Sequence, residues 1–357
     1  MTLSPILFRC DGSTTQGYEP FYQCLNYAAA LQRRRRGTYF LSQLQPATLL
    51  AAIQRGGNEW LPADNPVGSP EDLDQTLAEI RRLQPAAVVV ADHNLDTDYL
   101  NAVARTGTLL VVVDSHASAK FPQGLVVNPF LAPTKDCYHF GPGTHLLLGA
   151  RYAFVRPFIR RMRPLRAQEP AGPFRALIAF GDDDLRGQVL VRTKELLAMS
   201  RVDRVDVAVR PQHPALLDLL SLAEANPERL EVITEPADIS MRLGRCHIAL
   251  TSGDAWSLEL ACVGIPQIIL LQAANHALNA QRLDDEGAAN FLGDCDSVGA
   301  NDLRDAVNEL LSEPRDRARM ARSGRKLIDG RGPDRLVNAL EVLLHPARAV
   351  GDDRLAA

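Results

Sequence analysis

Acids and histidines gather where apolar runs end. Ala86 to Val90 is an unbroken apolar run that closes on Asp92 and His93, and Leu109 to Val113 is another that closes on Asp114. A third run, Ile6 to Phe8, opens onto a polar stretch, Asp11 to Gly17, with Glu19 just beyond it. Runs of this kind read as parallel strands buried on both faces, and the residues at their carboxyl ends line one rim of such a sheet. The chemistry available to such a rim is proton transfer, which makes Asp92, His93 and Asp114 candidate acids or bases, with His116 beside them. The competing reading for each acid is a cap on the turn or helix that follows it.

A second kind of chemistry is written into Thr251 to Pro266, TSGDAWSLELACVGIP, flanked by the apolar runs CHIAL and PQIILL. The pattern predicts strand, glycine-bearing turn, helix and strand. In a parallel sheet that corner offers an anion the unpaired N–H groups of a helix N-terminus, with Gly253 and Asp254 at the turn and Glu259 one turn into the helix. Asp254 also suits an N-cap, and that reading is favoured for it.

The elements that must position these residues alternate along the chain. In the N-terminal half, strands are expected at Ile6 to Phe8, Thr38 to Leu41, Ala86 to Val90 and Leu109 to Val113, with helices at Phe21 to about Arg35, Ala47 to Gln54 and Thr97 to Arg105. Ser69, Pro70 and Asp72 form an N-cap, a first-turn proline and a capping-box-like acid ahead of a further helix. The Pro-rich stretch 163–174 reads as a linker. A second alternating series begins at Ala176 to Phe180 and runs to a charged tail, GDDRLAA. The expectation is an α/β chain of two Rossmann-like, doubly wound domains: 1–162, then the linker, then 175–347, with 348–357 as tail.

Composition excludes several function classes. A chain of 357 residues with a formal net charge of -4 carries no basic face for nucleic acid. The one dense charge run, Arg33 to Arg36, ends a predicted helix, where cations suit the macrodipole better than they indicate a membrane site. No segment approaches the length of a membrane span. The six cysteines form no CxxC pair, and with no signal peptide the expected compartment is the cytoplasm.

Taken in order, ILFRCDGS, VVVADHNL, VVVDSHA with VVNPF, LLLGARYAFVRPF, ALIAFGDDD, TSGDAWSLELACVGIPQIILL, AANH and DGRGPDRL resemble the UDP-sugar hydrolases of the pseudaminic-acid pathway and their surface-polysaccharide relatives, a branch of the GT-B glycosyltransferase superfamily. The resemblance implies two Rossmann-like domains facing a cleft, with UDP or a UDP-sugar held by the C-terminal domain. By position it assigns Gly181, Asp184, Gly253, Asp254, Glu259 and Asn275 to the nucleotide, Glu259 holding the ribose hydroxyls. Asp11, Gly17, Tyr152 and Arg156 fall to the substrate. It implies no cofactor and no metal, and attack of an activated water on the anomeric carbon with UDP leaving.

The chain departs from that pattern at two places. Where the relatives read Gly-x-Gly-His, with histidine as general base, it reads Gly17-Tyr18-Glu19-Pro20. Loss of a positioned base typically costs ~10²–10⁴ in rate, so Glu19 or His93 must substitute if turnover persists. At the phosphate motifs, glycines are replaced by Asp182 and Asp254, which add bulk and like charge. Two readings follow: a UDP-sugar hydrolase or glycosyltransferase of surface-glycan, nonulosonic-acid biosynthesis, or a lapsed enzyme that binds a sugar nucleotide or a pathway protein partner.

Overall fold

The computed structural model describes residues 3–13, 17–92, 95–181, 184 and 186–345. The chain divides into two compact units, Met1–Phe154 with Arg331–Ala357, and Val155–Gly330. Each is a parallel α/β sheet with helices on both faces.

The first unit contains β1 (Ile6–Cys10), α1 (Glu19–Arg33), β2 (Thr38–Ser42), α2 (Thr48–Arg55), β3 (Glu59–Pro62), α3 (Pro70–Leu83), β4 (Ala87–Ala91), α4 (Thr97–Ala104) and β5 (Leu109–Val113). It continues through β6 (Lys120–Phe121), β7 (Gly124–Asn128), β8 (His139–Phe140) and β9 (Thr144–Leu148). The main sheet runs β3-β2-β1-β4-β5-β7-β9, and β6 pairs with β8 apart from it. Alternation along β1 sorts the two faces. Ile6, Phe8 and Cys10 pack with α1 and α2, whereas Leu7 faces the cluster that includes Ile80 of α3 and Leu100 of α4. Ser69 caps α3 by accepting the Asp72 N–H at 3.1 Å, with Pro70 in the first turn, as its sequence requires.

The second unit contains α5 (Pro157–Arg160), β10 (Arg175–Ala179), α6 (Gln188–Leu197), β11 (Arg204–Ala208), α7 (Leu216–Ala225), β12 (Leu230–Ile233), α8 (Pro236–Leu243) and β13 (Ile248–Thr251). There follow α9 (Ala255–Val263), β14 (Gln267–Leu271), α10 (Ala277–Asp285), β15 (Asn290–Asp294), α11 (Ala300–Ser312) and α12 (Pro314–Leu327). Its sheet order is β12-β11-β10-β13-β14-β15, parallel throughout.

The boundaries differ from the 162/163–174/175–347 division read from sequence. The chain enters the second unit at Val155 because Ile159 is buried there and Arg163 donates to the carbonyls of Cys262 and Ile328, both at 2.7 Å. The last helix, α13 (Gly332–Leu344), belongs to the first unit, where Leu336, Val337 and Leu340 join the core beside α1. The arginine run fastens it. Arg33 meets Asp334 at 2.6 Å, Arg34 meets Asn338 at 3.0 Å, and buried Arg36 grips Glu341 at 2.6 and 2.9 Å. The run therefore does more than close α1: it ties the returning C-terminus to the first domain.

α9 is buried from Trp256 to Val263, because α12 covers its outer side closely enough that a Cβ on Gly324 would lie 2.8 Å from the Ala261 carbonyl. That accounts for a helix apolar nearly all round. Its last carbonyls are met by guanidiniums: Cys262 by Arg163, Val263 by Arg325 at 3.2 Å and Gly264 by Arg166 at 3.5 Å.

Candidate nucleotide site

In both sheets the chain turns back at one strand pair, β1/β4 in the first unit and β10/β13 in the second. The loops leaving such a pair diverge and open a crevice at the carboxyl ends of the strands.

In the second unit the crevice is walled by Gly181 after β10 and by Ser252 to Asp254 after β13. Gly181 has φ +77, and a Cβ on it would collide with Asp254 Oδ2, so only glycine fits there without a shift. Gly253 has φ +83, and its backbone is held from both sides. Its N–H donates to Ser257 Oγ at 3.0 Å, and its carbonyl accepts from Asn279 Nδ2 at 2.6 Å. The sequence alone did not single out Asn279; a buried amide inside α10 carries no pattern of its own.

Two aspartates occupy helix N-termini here. Asp254 is the N-cap of α9 and accepts the Trp256 N–H at 3.0 Å. Asp184, at φ +33, accepts from the N–H groups of Gln188 and Val189 at 2.7 and 3.0 Å in the first turn of α6. His213, not singled out from sequence, is buried beside it, with Nε2 3.5 Å from Asp184 Oδ2. Asn275 is exposed in the turn after β14, next to His276, whose pKa burial pushes down while Asp254 pulls it up. Asp182 lies outside the described residues.

Glu259, buried in α9, is engaged by Arg156. The Arg156 backbone N–H donates to Oε1 at 2.7 Å, Nε to both oxygens at 2.9 Å, and Nη2 to Oε2. The guanidinium stacks 4.0 Å from the ring centroid of Trp256. Glu259 and Arg156, assigned from sequence to ribose and substrate separately, thus form one bidentate pair on an aromatic platform. A ribose hydroxyl reaching Glu259 has to share its oxygens with Arg156.

At the rim of the first unit, two of the acids have other work. Asp11 binds Arg9 and accepts the N–H groups of Gln43 at 2.7 Å and Val67 at 2.9 Å. Arg9 also meets Asp72, whose other oxygen receives the Tyr99 hydroxyl at 2.8 Å. Asp114 Oδ2 accepts from the N–H groups of His116 and Ala117 and from the Tyr138 hydroxyl at 2.9 Å. Asp11 and Asp114 therefore hold the loops in place, for Asp114 as the capping alternative anticipated. Asp92, just after β4, Glu19, the first residue of α1, and His116, whose Nδ1 lies 3.0 Å from the Ser115 hydroxyl, are the other described base candidates, and Gly17 at φ +80 closes the loop before α1. Pro20 is buried in the first turn of α1. Tyr152 packs partly buried against the core near α13. His93 lies outside the described residues.

Asp294, Cys295 and Asp296 lie close enough to hold a metal, yet Arg186 Nη1 already sits 2.6 and 2.8 Å from the two carboxylates. Among the described residues no helix is long and apolar enough to cross a membrane.

No protein-family model matches the chain. Over 113 residues it is 26% identical to the Bacillus subtilis spore coat polysaccharide biosynthesis protein SpsG, covering 32% of this chain and 33% of the relative. Over 151 residues it is 27% identical to aclacinomycin-T 2-deoxy-L-fucose transferase of Streptomyces galilaeus, covering 40% and 34%. The matched stretches thus span about a third of each curated relative. Solved structures match nearly end to end. MurG of Acinetobacter baumannii superposes at TM-score 0.65 with 13% identity, covering 94% of this chain and 99% of that one. The spinosyn rhamnosyltransferase SpnG, complexed with thymidine diphosphate, gives 0.64 with 18% identity over 94% and 100%. MnaA of S. aureus, in a co-structure with UDP, gives 0.62 with 10% identity over 96% and 97%. The chain has the GT-B glycosyltransferase fold, built as two Rossmann-like domains.

Proposed function

We propose that the chain handles a nucleoside-diphosphate sugar, UDP- or TDP-linked, in surface-polysaccharide biosynthesis, with the nucleotide in the second unit. One observation carries the reading. The β10/β13 switch-point crevice is lined by two left-handed glycines, Gly181 and Gly253, with a buried acid, Glu259, one turn into the helix that follows. The reaction is displacement at the anomeric carbon, with the nucleoside diphosphate leaving. The incoming hydroxyl, from water or an acceptor sugar, gives its proton to Asp92 or Glu19. Its six cysteines are all unpaired, five of them buried, which suits a reducing compartment.

A second reading, binding without turnover, is favoured by Pro20. Proline stands buried where the relatives' general base is expected, and it cannot take a proton. On that reading the chain binds a sugar nucleotide or a pathway protein partner without turnover.

The test is calorimetric titration of the full chain with UDP, TDP and uridine, followed by incubation with UDP-sugars. Glu259→Gln is expected to weaken binding about tenfold, because one charged hydrogen bond is lost. Absence of binding by all three ligands would sink the first reading and leave of the second only the protein partner. Binding without release of UDP, unaltered by Asp92→Asn and Glu19→Gln, would select the second.

A further inference from the structure

The overall composition conceals one local concentration of charge. The chain is net acidic, at -4, yet α12 carries six basic residues against a single acid, Asp316. Two of the six are turned to the fold. Buried Arg317 donates to the carbonyls of Leu310 and Leu311, both at 2.7 Å, and Arg325 donates to the Val263 carbonyl at 3.2 Å. The other four, Arg315, Arg319, Arg322 and Lys326, are exposed. They follow at intervals of four, three and four residues, which sets them in one row about 16 Å long, opposite the side on which Gly324 meets α9. Among the described residues only Arg319 of the four has an acidic partner, Asp316 at 2.9 Å.

Helix chemistry does not account for this row. Arg315 stands in the first turn of α12, where the macrodipole disfavours a cation, and like charges three or four residues apart destabilise a helix. A surface of opposite sign relieves that repulsion. A second feature lies at the lysine end of the row. Arg163 Nη2 donates to the Arg325 carbonyl at 2.5 Å, which lays the turn 161–166 against the end of α12. That turn exposes Arg161 and, at 69% exposure, Leu165. Cations beside a protruding aliphatic side chain suit a membrane interface, where head groups take the charge and the acyl boundary takes the leucine. α12 has no aromatic ring on which a nucleic-acid base could stack.

We propose that the outer row of α12 docks the chain on an anionic phospholipid surface. The contact is peripheral and electrostatic, and it is independent of whether the crevice takes a nucleotide.

The experiment is cosedimentation of the full chain with vesicles of phosphatidylcholine alone and of phosphatidylcholine with about 30 mol % phosphatidylglycerol, in about 0.1 M salt. Each basic residue near an anionic surface is worth about fivefold in partitioning, so the wild type should bind the anionic vesicles at least about tenfold more strongly and come off them in about 0.5 M salt. Arg315→Gln, Arg322→Gln and Lys326→Gln in one chain should remove most of that preference. The matched control carries Arg55→Gln, Arg81→Gln and Arg105→Gln, three exposed cations of the first unit, and should bind as the wild type does despite the same change in net charge. All six positions are exposed, so both variants should unfold at the wild-type temperature. Equal binding to the two kinds of vesicle, a preference that the α12 variant retains, or a loss that the control shares equally would overturn the inference. Binding to polyuridylate RNA in place of the anionic vesicles would give the row a different partner and overturn it as well.

Discussion

Asp206, in the middle of β11, is fully buried and neither carboxylate oxygen has a hydrogen-bond partner. Arg175 Nη1 is 3.5 Å away, while Glu231 stands directly opposite on β12, itself gripped by Arg242. Desolvation dominates, and the pKa is raised from 3.8 to about 6. The sign follows from proton binding. Between pH 3.8 and about 6 the folded chain holds a proton that the unfolded chain has released, so Asp206 lowers stability as pH rises through that window. Above it the full penalty applies, about 3 kcal/mol for a shift of roughly two pKa units at 1.36 kcal/mol each. Asp206→Asn should therefore leave stability near that of the wild type at pH 3.5 and raise it by about 2–3 kcal/mol at pH 7.5. The two tryptophans, Trp60 and Trp256, fall one in each unit. In a Trp60→Phe background, urea unfolding followed by fluorescence thus reports the unit that contains Asp206. A difference between variant and wild type that stays flat from pH 3.5 to 7.5 would refute the reasoning.

Two further predictions concern ion pairs. Arg156→Ala strands the buried Glu259 carboxylate and should cost about 3 kcal/mol by the same Trp256 unfolding assay, while adding Glu259→Gln recovers part of the loss; a single variant within about 0.5 kcal/mol of wild type would mean that the pair is not holding α9 to its approach segment. Arg36 holds the Glu341 pKa below its usual 4.5, so this clasp on α13 is complete above that pH and is lost as pH falls through the lowered value. Glu341→Gln should reduce stability near neutral pH and lose its effect in strong acid, read by thermal unfolding of the first unit with Trp60 fluorescence.

Local chemistry made much of the fold legible. Ser69 and Pro70 start α3, Asp254 caps α9 and Gly264 ends it at φ +87, each through bonds that reach only a few residues. Apolar runs located β4, β5, β13 and β14 for the same reason. What sequence left unread were partners far apart along the chain. Arg36 and Glu341 are separated by 305 residues, Arg156 and Glu259 by 103, and Arg9 and Asp72 by 63. Neither the return of α13 to the first unit nor the pairing of Glu259 could be drawn from composition or spacing.

The same limit governs the candidate site. An acid at a strand end can bind substrate or hold its own loop, and only the surrounding donors decide which. Asp11 meets Arg9 and two backbone N–H groups, and Asp114 meets two backbone N–H groups and a tyrosine hydroxyl, so both serve the scaffold. Asp184 and Asp254 satisfy helix N-termini by the same chemistry, but they do so at the switch point, where a ligand has to arrive. A residue can thus be structural in the resting protein and still set the terms of binding.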